Sequence, residues 1–253
     1  DPDQVYPLET GLSIHECVGT VIESRSENVR EGDFVMALPY FHHGYFDTLH
    51  LPEERIVKLP ADGVPKEEIL MAQPLGTIIR AFDRLPNLTR MTVAVVGQGP
   101  IGLMMGRLLV NYGAQRVFAV DKLDYRLEAG KKMGATHTLN PERTDVAEAI
   151  RDANGGALCD LVIEAVGHDE LATREAVDLV RQDGKLLQFG VFDTEVQDAY
   201  PADLIFRKNM TVYNSVGAAE RHYFALARDM IARGQIEMAP IVTHTFPMNE
   251  AQK

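Results

Sequence analysis

The stretch from Thr92 to Asp121, TVAVVGQGPIGLMMGRLLVNYGAQRVFAVD, constrains the fold more than any other part of the chain. It begins with a short apolar run of mostly β-branched residues, turns at Gly97 and continues into apolar residues at helical spacing. A second apolar run, 117–120, follows the break at Gly113 and ends on Asp121. The pattern predicts a β-α-β unit. The predicted buried face of its helix comprises Ile101, Met104, Met105, Leu108 and Tyr112.

The turn carries Gly97, Gly99 and Gly102 in the order G-x-G-x-x-G. Gly97 permits the sharp turn, Gly99 leaves room for a pyrophosphate beside the backbone, and Gly102 lets helix and strand pack closely. Pro100 and Ile101 open the predicted helix, whose N-terminus presents free N–H groups to phosphate. The turn therefore predicts a dinucleotide site.

Asp121 closes the second strand of this unit. A carboxylate at this position accepts hydrogen bonds from the hydroxyls of an adenosine ribose and repels a 2′-phosphate. The sequence therefore predicts NAD as the cofactor in preference to NADP. The ammonium of Lys122 weakens this preference slightly, because it would attract a phosphate.

Composition narrows the class of protein. The chain has 253 residues and a net charge of -12, which argues against nucleic acid or an anionic membrane as partner. Cys17 and Cys159 are the only cysteines, so no disulfide framework is encoded and a reducing cytoplasm is the expected location. No apolar run approaches the roughly twenty residues that span a bilayer. The first and last residues suggest a chain truncated at both ends.

The pattern of predicted secondary structure changes at Thr92. Before it, four short strand-like runs separated by prolines predict an antiparallel barrel or sandwich; they lie at 17–22, 33–38, 45–51 and 55–59. After it, apolar strands alternate with helices, which predicts a doubly wound parallel sheet. These strands are predicted at 93–96, 117–120, 161–166, 185–191 and 211–216.

Two helices of the second half are predicted in particular. One covers 169–182 and ends at Gly184. The other covers 220–233, with Tyr223, Ala227, Met230 and Ile231 on its buried face, and stops at Gly234. The segment after it reads as a short strand and a turn.

The segment LSIHECVGTVIESRSENVREGDFV resembles the signature of the medium-chain, zinc-type alcohol dehydrogenase family, G-H-E-x-x-G followed by G-D-x-V. The matching residues are His15, Glu16, Gly19, Gly32, Asp33 and Val35. The segments M-A-Q-P-L at 71–75, E-A-V-G at 164–167 and Q-F-G-V at 188–191 are similar to the sorbitol, threonine and glucose dehydrogenase branch. Ile14 departs from the signature, since it replaces the glycine before the histidine.

The resemblance implies three segments. Residues 1–74 correspond to a GroES-like catalytic domain whose beginning is missing, 75–217 to an NAD-binding Rossmann domain, and 218–253 to a truncated return to the catalytic domain. In such enzymes a catalytic zinc lies between the two domains, and an open coordination position receives the substrate oxygen.

The resemblance also implies the metal ligands. His15 and Glu16 match residues that hold the zinc or support its site and are the expected catalytic residues. Gln73 stands where the branch has a glutamate ligand, and its neutral amide is a weaker donor than a carboxylate. The family's cysteine ligand and its proton relay would lie before Asp1. Four cysteines that bind a second, structural zinc in some members are absent, so one zinc is expected.

Further residues follow from the resemblance or from strand position. Arg126 matches a basic position beside the adenosine ribose. Val166, Gly190 and Val191 lie at the ends of later strands, where an open α/β sheet binds its ligand. Glu164, one strand residue earlier, is expected to cap a hydrogen-bond network. Cys17 points away from Glu16 along a strand, and we interpret it as a structural thiol; the other histidines, including His42 and His43, are interpreted as structural or solvent-exposed.

The resulting functional hypothesis is an NAD-dependent alcohol, polyol or sugar dehydrogenase with a catalytic zinc as Lewis acid, forming a homodimer or homotetramer. Two alternatives remain open. One is a zinc-independent reductase of the quinone or enone type, favoured by Ile14 and Gln73 and opposed by the intact His15-Glu16 pair. The other is an NAD-binding protein that catalyses nothing.

Overall fold

The computed structural model describes residues 11–12, 14–167, 170–191, 200–216 and 221–250. The chain divides into two units, Asp1–Ile79 with Ala219–Lys253, and Arg80–Ala218. The strands are β1 (Cys17–Thr20), β2 (Phe34–Ala37), β3 (Ile56–Lys58), β4 (Thr92–Val96), β5 (Arg116–Val120), β6 (His137–Leu139), β7 (Cys159–Glu164), β8 (Val180–Gln188) and β9 (Thr211–Asn214). The α-helices are α1 (Lys66–Ile69), α2 (Ala72–Phe82), α3 (Pro100–Asn111), α4 (Asp124–Lys132), α5 (Val146–Ala153), α6 (Glu170–Asp178), α7 (Ala202–Arg207) and α8 (Arg221–Ala232).

The first unit contains an antiparallel sheet in the order β1-β2-β3. Its buried side chains include Met36 on β2 and Val57 on β3, which are paired across the two strands. The prediction of a strand at 45–51 is wrong. That segment contains no regular element, and single-turn 3-10 helices at Tyr40–His42 and Glu53–Arg55 flank it.

Helix α8 packs within the first unit through a face that differs slightly from the predicted one. Phe224, Ala227 and Ile231 are buried, whereas Tyr223 and Met230, both predicted on the buried face, are only half-buried. A Cβ atom on Gly76 of α2 would lie 2.5 Å from the Phe224 ring, which shows how closely the two helices approach. The short strand predicted after α8 is wrong within 241–250, where the structure has only a 3-10 turn at Met248–Glu250.

The second unit is the predicted doubly wound sheet. All its strands are parallel and lie in the order β6-β5-β4-β7-β8-β9, so β4 is central. Every residue of β4 is buried, as expected for a parallel strand that is covered on both faces. Among the described helices of the chain, none combines the length and apolar character needed to cross a bilayer.

Helices cover the two faces of this sheet in two groups. One face carries Val96, Val120 and Val162, against which residues of α5, α6 and α7 pack. On the other face, α3 reaches Val95 and α4 reaches Ala119, as the contacts of their glycines indicate. This alternation along each strand places the ends of β4, β5, β7 and β8 between two helical layers.

The prediction of a helix over 169–182 is only partly correct. Helix α6 ends at Asp178, and Val180 already belongs to β8, where it pairs with Cys159 of β7. Gly184 lies inside β8 and does not end the helix. The sequence analysis also missed the three-residue edge strand β6.

Candidate cofactor and metal sites

The glycine turn joins the end of β4 to the start of α3. Gly97 has a φ of +92°, a conformation that favours glycine, and its N–H donates to the carbonyl of Val120 at 2.9 Å. A Cβ atom on Gly102 would lie 1.9 Å from the carbonyl oxygen of Gly97. By contrast, a Cβ atom on Gly99 would meet nothing within 4 Å. The turn is therefore packed tightly on the protein side and open beside Gly99.

The N-terminus of α3 faces this opening. Gly99 is its N-cap residue and supplies no capping side chain, and Pro100 occupies the first helical turn. The N–H groups of the first turn are unsatisfied within a helix unless a cap or a ligand accepts from them. This arrangement can hold an anion.

Gln98, between the two glycines, is a residue whose role the sequence analysis missed. Its side chain is buried, and its Nε2 donates to the carbonyls of Val95 and Gly97 at 3.0 and 3.1 Å. A Cβ atom on Gly130 of α4 would lie 3.0 Å from the Gln98 Oε1 atom. The amide therefore braces the turn from inside and fills the space that Gly130 leaves.

Asp121 is fixed at the end of β5, beside this turn. Its Oδ2 atom accepts the N–H of Gln98 and its Oδ1 atom accepts the N–H of Leu123, both at 2.8 Å. The guanidinium of Arg126 lies 3.6 Å from Oδ2. Each carboxylate oxygen keeps a further lone pair, so a ligand hydroxyl can still donate to Asp121.

A polar loop and a cavity lie near Asp121. Asn140 donates to the carbonyl of Lys122 at 2.9 Å and to Asp124 at 3.2 Å, and Arg143 pairs with Asp124. The hydrogen bond from Arg143, followed by the one from Asn140, lowers the pKa of Asp124 below its usual value. A cavity of about 260 Å³ lies beside the ends of β4 and β5, and its lining includes Val96, Val120, Pro141, Thr144 and Val146.

The loops after β7 and β8 lie against each other on the other side of β4. A Cβ atom on Gly167 would lie 2.9 Å from the backbone nitrogen of Val191, and one on Gly190 would lie 2.3 Å from the nitrogen of Gly167. The side chains of Val166 and Val191 are exposed. Val166, Gly190 and Val191 therefore lie together at the carboxyl ends of β7 and β8.

In the first unit, His15 and Glu16 are adjacent and half-exposed. The His15 Nε2 atom lies 3.9 Å from Glu16 Oε1, and the His15 ring stacks on that of His42 at 4.5 Å between centroids. His42 and its neighbour Phe41 have φ values of 61° and 50°, which are strained for residues with side chains. The backbone strain at 41–42 accompanies the stacking of the two imidazoles.

Cys17, interpreted as a structural thiol, and Gln73, the third proposed ligand, have different surroundings. The thiol of Cys17 points at the carbonyl of Gly44, 3.7 Å away, and its burial, followed by the charge of Glu16, raises its pKa. Gln73 is buried in α2, and among the described residues no hydrogen bond joins its amide to His15 or Glu16.

A zinc ion in a catalytic site needs about three protein donors. His15 and Glu16 supply one imidazole and one carboxylate, and within the described parts of the chain no three His, Cys, Asp or Glu side chains converge to hold a metal. The described His, Cys, Asp and Glu side chains thus do not by themselves make up a complete zinc site.

Comparison with known proteins gives a consistent match. The family model for zinc-binding dehydrogenase matches residues 100–233, about half of the chain. L-threonine 3-dehydrogenase of Bacillus velezensis is 28% identical, over 94% of this chain and 76% of that protein. Erythritol/L-threitol dehydrogenase of Mycolicibacterium smegmatis is 32% identical, over 88% of this chain and 63% of that protein.

Among solved structures, the alcohol dehydrogenase TADH from Thermus sp. ATN1 superimposes with a TM-score of 0.81. The match covers 97% of this chain and 80% of that chain at 24% sequence identity, so it supports the fold. The expected combination of a Rossmann-like sheet with a small antiparallel sheet is confirmed.

Proposed function

The chain belongs to the zinc-binding dehydrogenase family, and on that basis we propose that it transfers hydride between an alcohol or polyol and a nicotinamide dinucleotide. The observation that carries the proposal is the hydrogen bond from the Gln98 N–H to Asp121, which joins the glycine turn to a carboxylate at the next strand end. The relatives are named for the oxidation of threonine and of erythritol or threitol, compounds that share a hydroxyl group.

A bound nicotinamide dinucleotide would supply the hydride acceptor for oxidation of the alcohol, in which the hydroxyl-bearing carbon loses a hydride and the hydroxyl loses its proton to give a carbonyl compound. The chain's own residues would bind and orient the dinucleotide. The pyrophosphate would lie beside Gly99, at the N–H groups of the helix turn that begins with Pro100 and Ile101. Gly97 and Gly102 keep the turn and α3 close together.

The strand order supports one direction for the dinucleotide. Asp121 lies on the β5 side of β4 and would accept hydrogen bonds from the adenosine ribose, with Arg126 beside it and the cavity near Val120 open to the purine. The other half of the molecule would then extend across β4 towards β7 and β8. Val166, Gly190 and Val191 are the residues proposed to contact the nicotinamide half.

We propose that NAD is preferred over NADP. The carboxylate of Asp121 is held by two backbone N–H groups, so it would face a 2′-phosphate as a fixed negative charge. Lys122 and Arg126 reduce the repulsion without removing it. The preference is expected to be moderate.

For the metal, the family name implies zinc, and His15 and Glu16 remain the proposed ligands, with Gln73 as a weaker third donor. The pair supplies two of the about three protein donors that a catalytic zinc ion needs. A zinc-independent reductase of the same superfamily is therefore the second candidate, and the neutral amide at Gln73 is the specific observation that favours it.

The proposed partners are small alcohols, polyols or sugars and further copies of this chain. The negative net charge opposes nucleic acid. Strands β6 and β9 are the edges of the parallel sheet, and we propose that edge strands join a homodimer or homotetramer. Both cysteines are free thiols, which suits the proposed cytoplasmic location.

The test has three measurements on the purified protein. Fluorescence titration with NADH and NADPH should show binding of both, with NADH tighter. Reduction of NAD, assayed across a panel of amino alcohols, polyols and sugars, should identify a hydroxyl substrate. Zinc content by atomic emission separates the candidates: about one zinc per chain with turnover of an alcohol supports the dehydrogenase, whereas zinc-free turnover of an enone or quinone supports the reductase.

A further inference from the structure

Glu164 is a fully buried carboxylate at the carboxyl end of β7. It pairs in register with Val96 at the end of β4 and with Gln188 at the end of β8. An acidic side chain is almost never buried completely unless partners hold it, so the neighbours of Glu164 define what it does.

The side chain of Glu164 holds the loop after its own strand. Its Oε1 atom accepts the N–H groups of Val166 and Gly167, at 2.7 and 3.0 Å. The bond to Gly167 is buried, so loss of the acceptor would leave an unsatisfied N–H group in the interior. The loop at 165–167 therefore takes its course from this carboxylate.

The backbone of Glu164 holds the neighbouring loop as well. Its carbonyl oxygen accepts the N–H groups of Phe189 and Gly190, at 3.1 and 3.2 Å. A Cβ atom on Gly190 would lie 2.5 Å from the Glu164 Oε2 atom, so the second loop rests directly on the carboxylate. Within the described residues the Oε2 atom of Glu164 accepts no hydrogen bond, so it supports the second loop through van der Waals contact alone.

One residue thus fixes two loops on the β7–β8 side of the sheet. We infer that Glu164 is a positioning residue that sets the binding surface for the nicotinamide half of the dinucleotide, an inference that rests on the proposed function. The adenosine side, at Asp121, is fixed independently by the bonds from Gln98 and Leu123. A change at Glu164 should therefore affect one half of the ligand and spare the other.

The experiment compares NADH with ADP-ribose, which has the same adenosine and pyrophosphate but no nicotinamide. The unmutated protein, Glu164→Met and Glu164→Gln are titrated with both ligands by calorimetry. Methionine matches the size of glutamate without its acceptors, so NADH should bind about tenfold more weakly, the equivalent of one net hydrogen bond. ADP-ribose should bind within about threefold of the unmutated value, since its contacts lie elsewhere.

Glu164→Gln provides the rescue. Its amide oxygen can accept both loop N–H groups, so NADH affinity should stay within about threefold of the unmutated protein. Thr173→Val is the matched control: Thr173 is a buried hydroxyl on α6 without a described partner, and its removal should leave both affinities unchanged.

A second route avoids dependence on the folding of Glu164→Met. Gly190→Ala keeps the carboxylate and forces the second loop away from it, so it should also weaken NADH and spare ADP-ribose. Equal affinity for NADH in Glu164→Met and the unmutated protein overturns the inference, as does a parallel loss of both ligands in Glu164→Met and Gly190→Ala. Failure of the unmutated protein to bind NADH overturns the proposed function itself.

Discussion

A Cβ atom on Gly102 would lie 1.9 Å from the carbonyl oxygen of Gly97, so α3 and the end of β4 meet at a distance that only glycine allows. We predict that Gly102→Ala lowers the free energy of unfolding by about 1–3 kcal/mol, because the helix must move away from the strand. Urea unfolding followed by circular dichroism measures this. Gly106→Ala, four residues along the same helix, is the control: nothing lies within 4 Å of its Cβ position.

Gly106→Ala should raise the free energy of unfolding by about 0.5–1 kcal/mol, since alanine loses less backbone entropy than glycine in a helix. If the two substitutions change stability equally and in the same direction, close packing at Gly102 is not what the glycine provides.

Gly99→Val should abolish dinucleotide binding and leave the fold intact. The φ of Gly99 is -70°, which any residue adopts, and the space around its Cβ position is open, so valine strains nothing in the free protein. Its side chain would instead occupy the place proposed for the pyrophosphate. Circular dichroism and NADH titration, done on the same sample, separate the two effects. Normal NADH affinity in the mutant would show that the phosphates lie elsewhere.

Asp121→Ala should narrow the preference for NAD over NADP. The substitution removes a charge-assisted acceptor for the ribose, at a cost of about 1.5–3 kcal/mol for NAD, and removes the repulsion of a 2′-phosphate. Titrations with NADH and NADPH measure both affinities. Asp152→Ala on α5 removes the same charge from an exposed position and should leave the ratio unchanged. An unchanged ratio in Asp121→Ala would contradict the assignment.

We predict that the Cys159 thiol makes the free energy of unfolding depend on pH in the alkaline range. Burial, followed by the charge of Asp160, raises its pKa from 9.0 to about 12. The folded state therefore keeps a proton that the unfolded state loses above its own pKa. The contribution is fully present below that pKa and decreases as the pH rises towards the folded value, by at most about 1.4 kcal/mol per pH unit.

Urea unfolding at pH 8 and pH 10 tests this linkage. The loss of stability between the two values should be smaller in Cys159→Ala than in the unmutated protein. Cys17→Ala is the comparison, because Cys17 is only half-buried and its pKa is raised in the same direction. Identical pH dependence with and without Cys159 would contradict the proposed cause.

The sequence predicts the parts of the fold in which local pattern and burial agree. The alternation of β4, α3 and β5 follows from apolar period and from glycine at Gly97, where φ is positive. It fails where pairing overrides local preference. Residues 180–184 lie at the end of the predicted helix and have few apolar side chains, so their local pattern does not predict a strand. They nevertheless extend β8, because Val180 pairs with Cys159 and Lys185 pairs with Leu161.

The candidate site divides in the same way. The role of Asp121 can be predicted from the sequence because its position at a strand end fixes its environment. The role of Gln98 cannot, since the inward orientation of its side chain depends on the space that α4 leaves at Gly130. His15 and Glu16 are neighbours in sequence and remain so in the structure, but the stacking of His15 on His42 depends on a strained loop that no periodicity reports.

The contact between Gln98 and Gly130 matters to anyone who redesigns this cofactor site. The two residues lie on different elements, thirty-two positions apart, and any side chain at 130 would press on the amide that supports the turn. A turn transplanted from another dehydrogenase would bring its own residue at 98 without the matching space in α4. Transplants should therefore carry positions 98 and 130 together, and libraries that vary one should vary the other.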